Sequence, residues 1–272
     1  MPYSIDASES AVTGRSSFRL PFEPRGEART YRDELRAAIG HLRATGHLYA
    51  RYSGPKPRGP AFDLENVLFY NVGTGVFGPH AVSSLTFERG APGEDSALPH
   101  RQLYRVQGGK WDAGPTDATA LATFRAPLAG RPANAHQTWA SVAAGERRVL
   151  GEAAPDGEIA VLMTVSAPIQ VNLAAYAKPL LDGVLSAFHT HDGTDPDRVP
   201  SFLAERTGLS SQDAWKILTD ESKGVLGTRR LLHGSNTSLG WNPADDRCAF
   251  VSIDYRYDPS WAIVGSLRRI TT

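Results

Sequence analysis

The chain is poor in several things that would have narrowed its class at once. It has a single cysteine, Cys248, which excludes an internal disulfide framework and makes a reducing compartment the expectation. Cys248 opens the stretch CAFVSIDYRYD, whose strand-like alternation places the thiol as a small core residue. No apolar run approaches the ~20 residues a bilayer-crossing helix needs. The N-terminus, MPYSIDASESAVTG, lacks the apolar segment of a signal peptide. A cytoplasmic location and no membrane partner are therefore expected. Net charge is missing too, since 29 basic residues balance 29 acidic ones. That removes an overall positive field as an argument for nucleic-acid binding, while leaving room for a local basic groove. Lysine is scarce: Lys56, Lys110, Lys178, Lys216 and Lys223 stand against twenty-four arginines.

What is present is the composition of an ordinary folded domain, 41% hydrophobic and 21% charged over 272 residues. That length suits one large domain or two small ones with a sizeable core. Residues 1–15 read as a loose arm, and SFRLPF (Ser17–Phe22) as a short strand. A helix with Thr30 as N-cap and Asp33 at the capping-box position follows, with Tyr31, Leu35, Ile39 and Leu42 on one face. FDLENVLFYNVG is apolar after an acidic start and reads as helix or buried strand, while AVSSLTFERG alternates like a strand. Between Ala91 and Arg131 the clusters APGEDSALP and GGKWDAGPTD mark a boundary or a long excursion. HQTWASVAAGERRVL reads as a helix, and EIAVLMTVSAP as a buried strand stopped by Pro168. Leu173, Ala177, Leu181, Val184 and Phe188 recur at helical spacing, which predicts a helix over 172–188. Ser210 and Asp213 announce another before AWKILTDES, and the C-terminus returns to strands. The fold class expected is α+β, a mixed sheet with helices packed on it, divided into residues 1–130 and 131–272.

Two motifs carry metal or nucleotide chemistry on paper. GTGVFG (Gly73–Gly78) matches a dinucleotide-loop pattern, but that mechanism needs a helix N-terminus there, and the following HAVSSLTFERG alternates like a strand. A glycine-rich turn is the better reading, and no nucleotide cofactor is expected. HTHDGTDPD (His189–Asp197) sets two imidazoles two residues apart with carboxylates behind them, which suits zinc, manganese or a similar ion; for the chain as a whole a divalent metal, magnesium, manganese or zinc, is the cofactor expected. It resembles the H-x-H-P…S-x-x-D signature of JAMM-type metalloproteases, with Pro200 and Ser201 downstream. Asp192 stands in place of that proline, however, and Ala204 in place of the last aspartate. The alternative is a polar helix end running into an Asp/Gly/Pro turn, with histidine placed favourably at the helix C-terminus.

Lys178 and Asp182 sit four apart, and with His189 they fall within about 40° of one another on a helical wheel, opposite the apolar stripe. The surrounding EIAVLMTVSAPIQVNLAAYAKPLLDGVLSAFHTHDG resembles the core of RusA-type Holliday-junction resolvases. That family reads strand, loop, then a helix D-x-D-N-L-x-K-x-x-x-D-x-L followed by an acidic pair. The resemblance implies metal-binding aspartates and a lysine that assists phosphodiester hydrolysis, and it puts Lys178, Asp182 and Asp192 at matching positions. Asn172 and Ala174 occupy the places of the first two aspartates, Ala175 that of the asparagine, and Gly193 that of the second acidic residue. A two-metal centre is thereby short of most of its ligands. Upstream, Asp63, Glu65 and Asn66 in FDLENVL supply a D-x-E-N order without the lysine. Two diverged RusA-like halves in one chain would explain both fragments.

Three function classes follow. In the first, a metal-dependent nuclease or phosphodiesterase uses a divalent ion on His189, His191, Asp192, Asp63 and Glu65, with Lys178, Asp182 and Asp192 as catalytic groups. In the second, a RusA-like protein with an altered metal site binds nucleic acid or a protein partner, its hydrolysis reduced or lost. The third is an unrelated metal-dependent hydrolase centred on His189 and His191. Zero net charge and the missing carboxylates favour the second class, and the oligomeric state stays open.

Overall fold

Backbone hydrogen bonding in the computed structural model builds an α+β protein with mixed sheet. The structure describes residues 1–43, 46–55, 62–92, 95–111, 114–115, 117–234 and 239–271. In chain order the strands are β1 (Tyr3–Ala7), β2 (Ala11–Ser16), β3 (His47–Ser53), β4 (Ser84–Gly90), β5 (His100–Gln107), β6 (Ala118–Pro127), β7 (Glu146–Val149) and β8 (Ile159–Ala167). The two-residue strands β9 (Thr190–His191), β10 (Thr228–Arg229), β11 (Leu232–His233) and β12 (Gly240–Trp241) precede the longer β13 (Cys248–Tyr257) and β14 (Ala262–Ile270). The helices are α1 (Glu27–Gly40), α2 (Ala135–Ala144), α3 (Leu173–Ser186), α4 (Arg198–Thr207) and α5 (Ser211–Leu218).

These elements form two compact units. Unit 1 comprises Met1–Pro115, Ile169–Ala177 and Asp246–Tyr257; unit 2 comprises Thr116–Pro168, Lys178–Asp245 and Asp258–Thr272. The division thus differs from a single cut near residue 130, because two later segments return to unit 1 and β6 belongs to unit 2. In unit 1 the strands lie in the order β1-β2-β5-β3-β4-β13, with β3 and β4 parallel and the other neighbours antiparallel. Helix α1 covers one face with Tyr31, Leu35 and Ile39, all fully buried. The Tyr31 hydroxyl donates to Gln102 Oε1 at 2.9 Å, which pairs two polar groups of this core.

In unit 2 the order is β8-β14-β6-β7, antiparallel throughout. Strand β8 is buried along nearly all its length, as its continuous apolar run requires. Leu180, Leu181, Val184, Leu185 and Phe188 are fully buried, and the Phe188 ring lies 5.9 Å from that of Phe124 on β6. Pro179 sits inside α3. It has no N–H for the carbonyl of Ala175 four residues back, and the Tyr70 hydroxyl donates to that carbonyl at 2.9 Å instead.

Several local expectations change. Residues 1–15 are ordered as β1 and β2 instead of a loose arm, and Ser17–Phe22 is a bend held in part by Ser16 Oγ donating to the Phe18 carbonyl. Helix α1 starts a turn early, at Glu27, because Glu27 and Ala28 extend it past Thr30. FDLENVLFYNVG includes a π-helical turn, Asn66–Tyr70, and GTGVFG a 3₁₀ turn, Thr74–Phe77. The supposed excursion over 91–131 contains β5 and β6, and its turn clusters fall partly outside the described residues. The helix over HQTWASVAAGERRVL stops at Gly145, after which Glu146–Val149 turns into β7. Cys248 is buried, as expected. Among the described residues no helix is long and apolar enough to cross a membrane.

Gly183 shows how tightly α2 approaches α3. A Cβ there would lie 2.5 Å from Thr138 Cβ and 2.8 Å from the Ala135 carbonyl oxygen. Alanine would gain roughly 1 kcal/mol of helix propensity, but overpacking against backbone costs about 1–3 kcal/mol. Gly183→Ala should therefore lower the midpoint of chemical denaturation; a raised midpoint would mean the helices can move apart freely.

Candidate functional site

Helix α3 delivers Lys178 and Asp182 to one place because residues four apart share a helix face. Lys178 Nζ lies 3.3 Å from Asp182 Oδ1 and 3.4 Å from Asp245 Oδ2. The Asp182 and Asp245 side chains are 12% and 8% exposed, and that of Lys178 28%. Asp245 carries no motif, and its part in this cluster had no signal in the sequence. Asp192, the third residue of the expected catalytic set, is elsewhere. Its Oδ1 accepts from the Thr194 amide at 3.0 Å and from the Thr194 hydroxyl at 2.7 Å, closing a tight turn. Burial would raise this carboxyl's pKa, but the Thr194 bonds and Arg230 outweigh it and hold the pKa below its ordinary value.

Both histidines are buried, and both ring nitrogens of each are engaged. His189 Nδ1 meets the Gly227 carbonyl at 3.0 Å, and its Nε2 accepts from the Ala244 amide at 3.2 Å. His191 Nδ1 accepts from the Leu231 amide at 3.1 Å, and its Nε2 meets the Thr194 carbonyl at 2.9 Å. A carbonyl can only accept, so His189 is the Nδ1–H tautomer and His191 the Nε2–H tautomer, with neither lone pair left for an ion. Each imidazole ties the β9 segment to the loops beside it, and the β9–β10 pairing places Arg229 beside His191. The RusA and JAMM resemblances imply a divalent metal; His189 and His191 offer it no nitrogen lone pair unless these bonds break, whereas the carboxylates of Asp63 and Glu65 are of a kind that could hold one.

The upstream fragment lies in unit 1. Asp63 Oδ2 accepts from Asn66 Nδ2 at 2.5 Å, and Glu65 is fully buried. The D-x-E-N order thus includes a side-chain hydrogen bond across one turn at the mouth of the π-helical segment.

A different feature of unit 1 had no motif to announce it. The face of its sheet opposite α1 carries Arg15 on β2, Arg51 on β3, and Arg101 and Arg105 on β5. Register puts Arg15 directly opposite Arg101 and Arg105 opposite Tyr49, while Arg51 is opposite Leu103, midway between Arg101 and Arg105. Arg101 and Arg105 are exposed. Gly90 leaves the space that the Arg51 guanidinium occupies, since a Cβ there would lie 2.1 Å from Arg51 Nε. Arg15 pairs with Asp6, and Arg51 Nε lies 3.6 Å from Glu88 Oε1. Arg101 and Arg105 make no ion pair among the described residues. Desolvation first, then Arg15, Arg51 and Arg105, lower the pKa of Arg101. Like charges directly opposite one another destabilise a sheet, so the Arg15–Arg101 pair is unfavourable on its own.

No family model matches the chain, and no curated protein matches it. Among solved structures it is similar to one described as "Cyanuric acid hydrolase: evolutionary innovation by structural concatenation". The identity is 14%, covering 99% of this chain and 69% of that one, with a TM-score of 0.20. A likeness that low carries no argument about fold or activity.

Two measurements separate structural from chemical roles here. Lys178→Met leaves two buried carboxylates beside an apolar group and should destabilise the protein by about 3 kcal/mol. A catalytic lysine with no such duty would instead be replaced with little loss of stability. His191→Ala orphans the Leu231 amide and should cost roughly 1–3 kcal/mol, with divalent-metal content of untagged protein unchanged. Loss of a bound metal in that variant would restore the histidine pair as ligands.

Proposed function

We propose that this chain is a nucleic-acid-binding protein with a RusA-like motif that now serves the fold instead of hydrolysis. The observation that carries the reading is the array of Arg15, Arg51, Arg101 and Arg105 on one sheet face, four guanidinium groups against two carboxylates. Phosphate contacts from arginine supply most of the affinity of such proteins without reading sequence. The zero net charge of the whole chain is compatible, because the field that matters is local. The loss of hydrolysis is supported by Lys178, whose ammonium sits between Asp182 and Asp245, and by the engaged nitrogens of His189 and His191.

Fluorescence anisotropy of a labelled oligonucleotide tests it. Binding is expected, with log affinity falling linearly as log salt rises. Arg101→Ala and Arg105→Ala should each weaken binding uniformly across sequences and flatten the salt slope by about 1. Added Mg²⁺ or Mn²⁺ should produce no cleavage. Unchanged affinity in the double variant would remove the arginine face from the account, and metal-dependent cleavage would return the chain to the nucleases.

A further inference from the structure

Resting on that reading, we infer that the ligand of the arginine face is a single strand, held by its phosphates on the four arginines and by a base stacked on Trp111. The aromatic group at the margin selects the strand state, because arginine–phosphate contacts alone would hold a duplex as well and only an unpaired strand offers a base face to stack. Here the arginines stand on β2, β5 and β3, three adjacent strands inside a six-stranded order. Strands lie about 4.8 Å apart, and residues four apart on a strand are separated by ~13 Å. The charges therefore spread over a broad, shallow platform, the surface on which an unpaired strand can lie with its bases splayed.

The aromatic partner sits at the margin of the same array. Trp111 packs on Tyr49 with ring centroids 5.0 Å apart and planes tilted by 39°. Tyr49 is the cross-strand partner of Arg105, so the aromatic pair and the charge array share one face. The Tyr49 hydroxyl donates to Glu88, which also faces Arg51. Tyr49 is nearly buried, at 8% exposure, whereas Trp111 is half-buried. Tyr49 thus backs the indole, and Trp111 is the more exposed member of the pair. Its Nε1 makes no hydrogen bond among the described residues. An indole beside guanidinium groups is the combination that binds unpaired bases irrespective of sequence.

The bland alternative is a solvated charge patch that attracts any polyanion. Three probes tell these apart: a single strand, the matching duplex, and heparin, which has charge but no bases. Expected are tighter binding of the single strand than of the duplex, and quenching of tryptophan fluorescence by the strand that is absent in Trp111→Phe. Trp111→Ala should weaken single-strand binding by roughly five- to a hundredfold, leave heparin binding unchanged, and be largely rescued by Trp111→Phe. Equal affinity for strand and duplex, or an unaffected Trp111→Ala, would overturn the stacking inference while leaving the nucleic-acid reading in place. Failure of both nucleic acids to bind the wild-type chain would overturn both.

Discussion

A lysine ammonium lodged between two nearly buried carboxylates constrains everything around it in unit 2. Taking such charges from water costs several kcal/mol per ion, and the arrangement holds only while each group keeps its partners. Lys178 and Asp182 come from one helix, so α3 must be helical through Pro179, and Asp245 must arrive from the far end of the unit. The neighbouring imidazoles extend the same constraint. His189 and His191 bond to backbone groups of Gly227, Ala244, Leu231 and Thr194, and the amides of Ala244 and Leu231 among them are buried donors that need an acceptor. Residues that read in isolation as catalytic and metal-binding are therefore consistent with a polar framework for the fold.

Unit 1 presents the opposite electrostatic case. Its arginines are brought together by strand register, with fewer carboxylates than the array needs for balance. In unit 2 opposite charges close on one another; on the sheet of unit 1, like charges are left facing outward beside an indole. A closed ion cluster supports stability, and an open like-charge array supports binding of an external anion. This contrast, more than any motif, is the basis for separating structure from function in the chain.

Much of the fold was legible because local pattern and burial agree. The apolar stripe of α3, the continuous run of β8 and the Ser210–Asp213 cap of α5 all correspond to formed elements. Strand β5 was hidden because its inward face includes Gln102, a polar residue whose core role depends on Tyr31, seventy-one positions away. The site was less legible for the same reason. Arg15, Arg51 and Arg101 are far apart in sequence, and only pairing register makes them neighbours. The hydrogen bonds of the histidines were not legible because their partners are main-chain atoms, which leave no trace in side-chain identity. Asp245 had no motif at all.

If a ligand meets the arginine face and not the lysine–histidine region, arginine side-chain Nε–Hε resonances, followed by NMR as a single-stranded oligonucleotide is added, will report it. Shifts confined to Arg15, Arg51, Arg101 and Arg105 are expected, with the Trp111 indole moving alongside them. Shifts centred instead on residues 178–192, with those four arginines unmoved, would contradict that placement of the ligand.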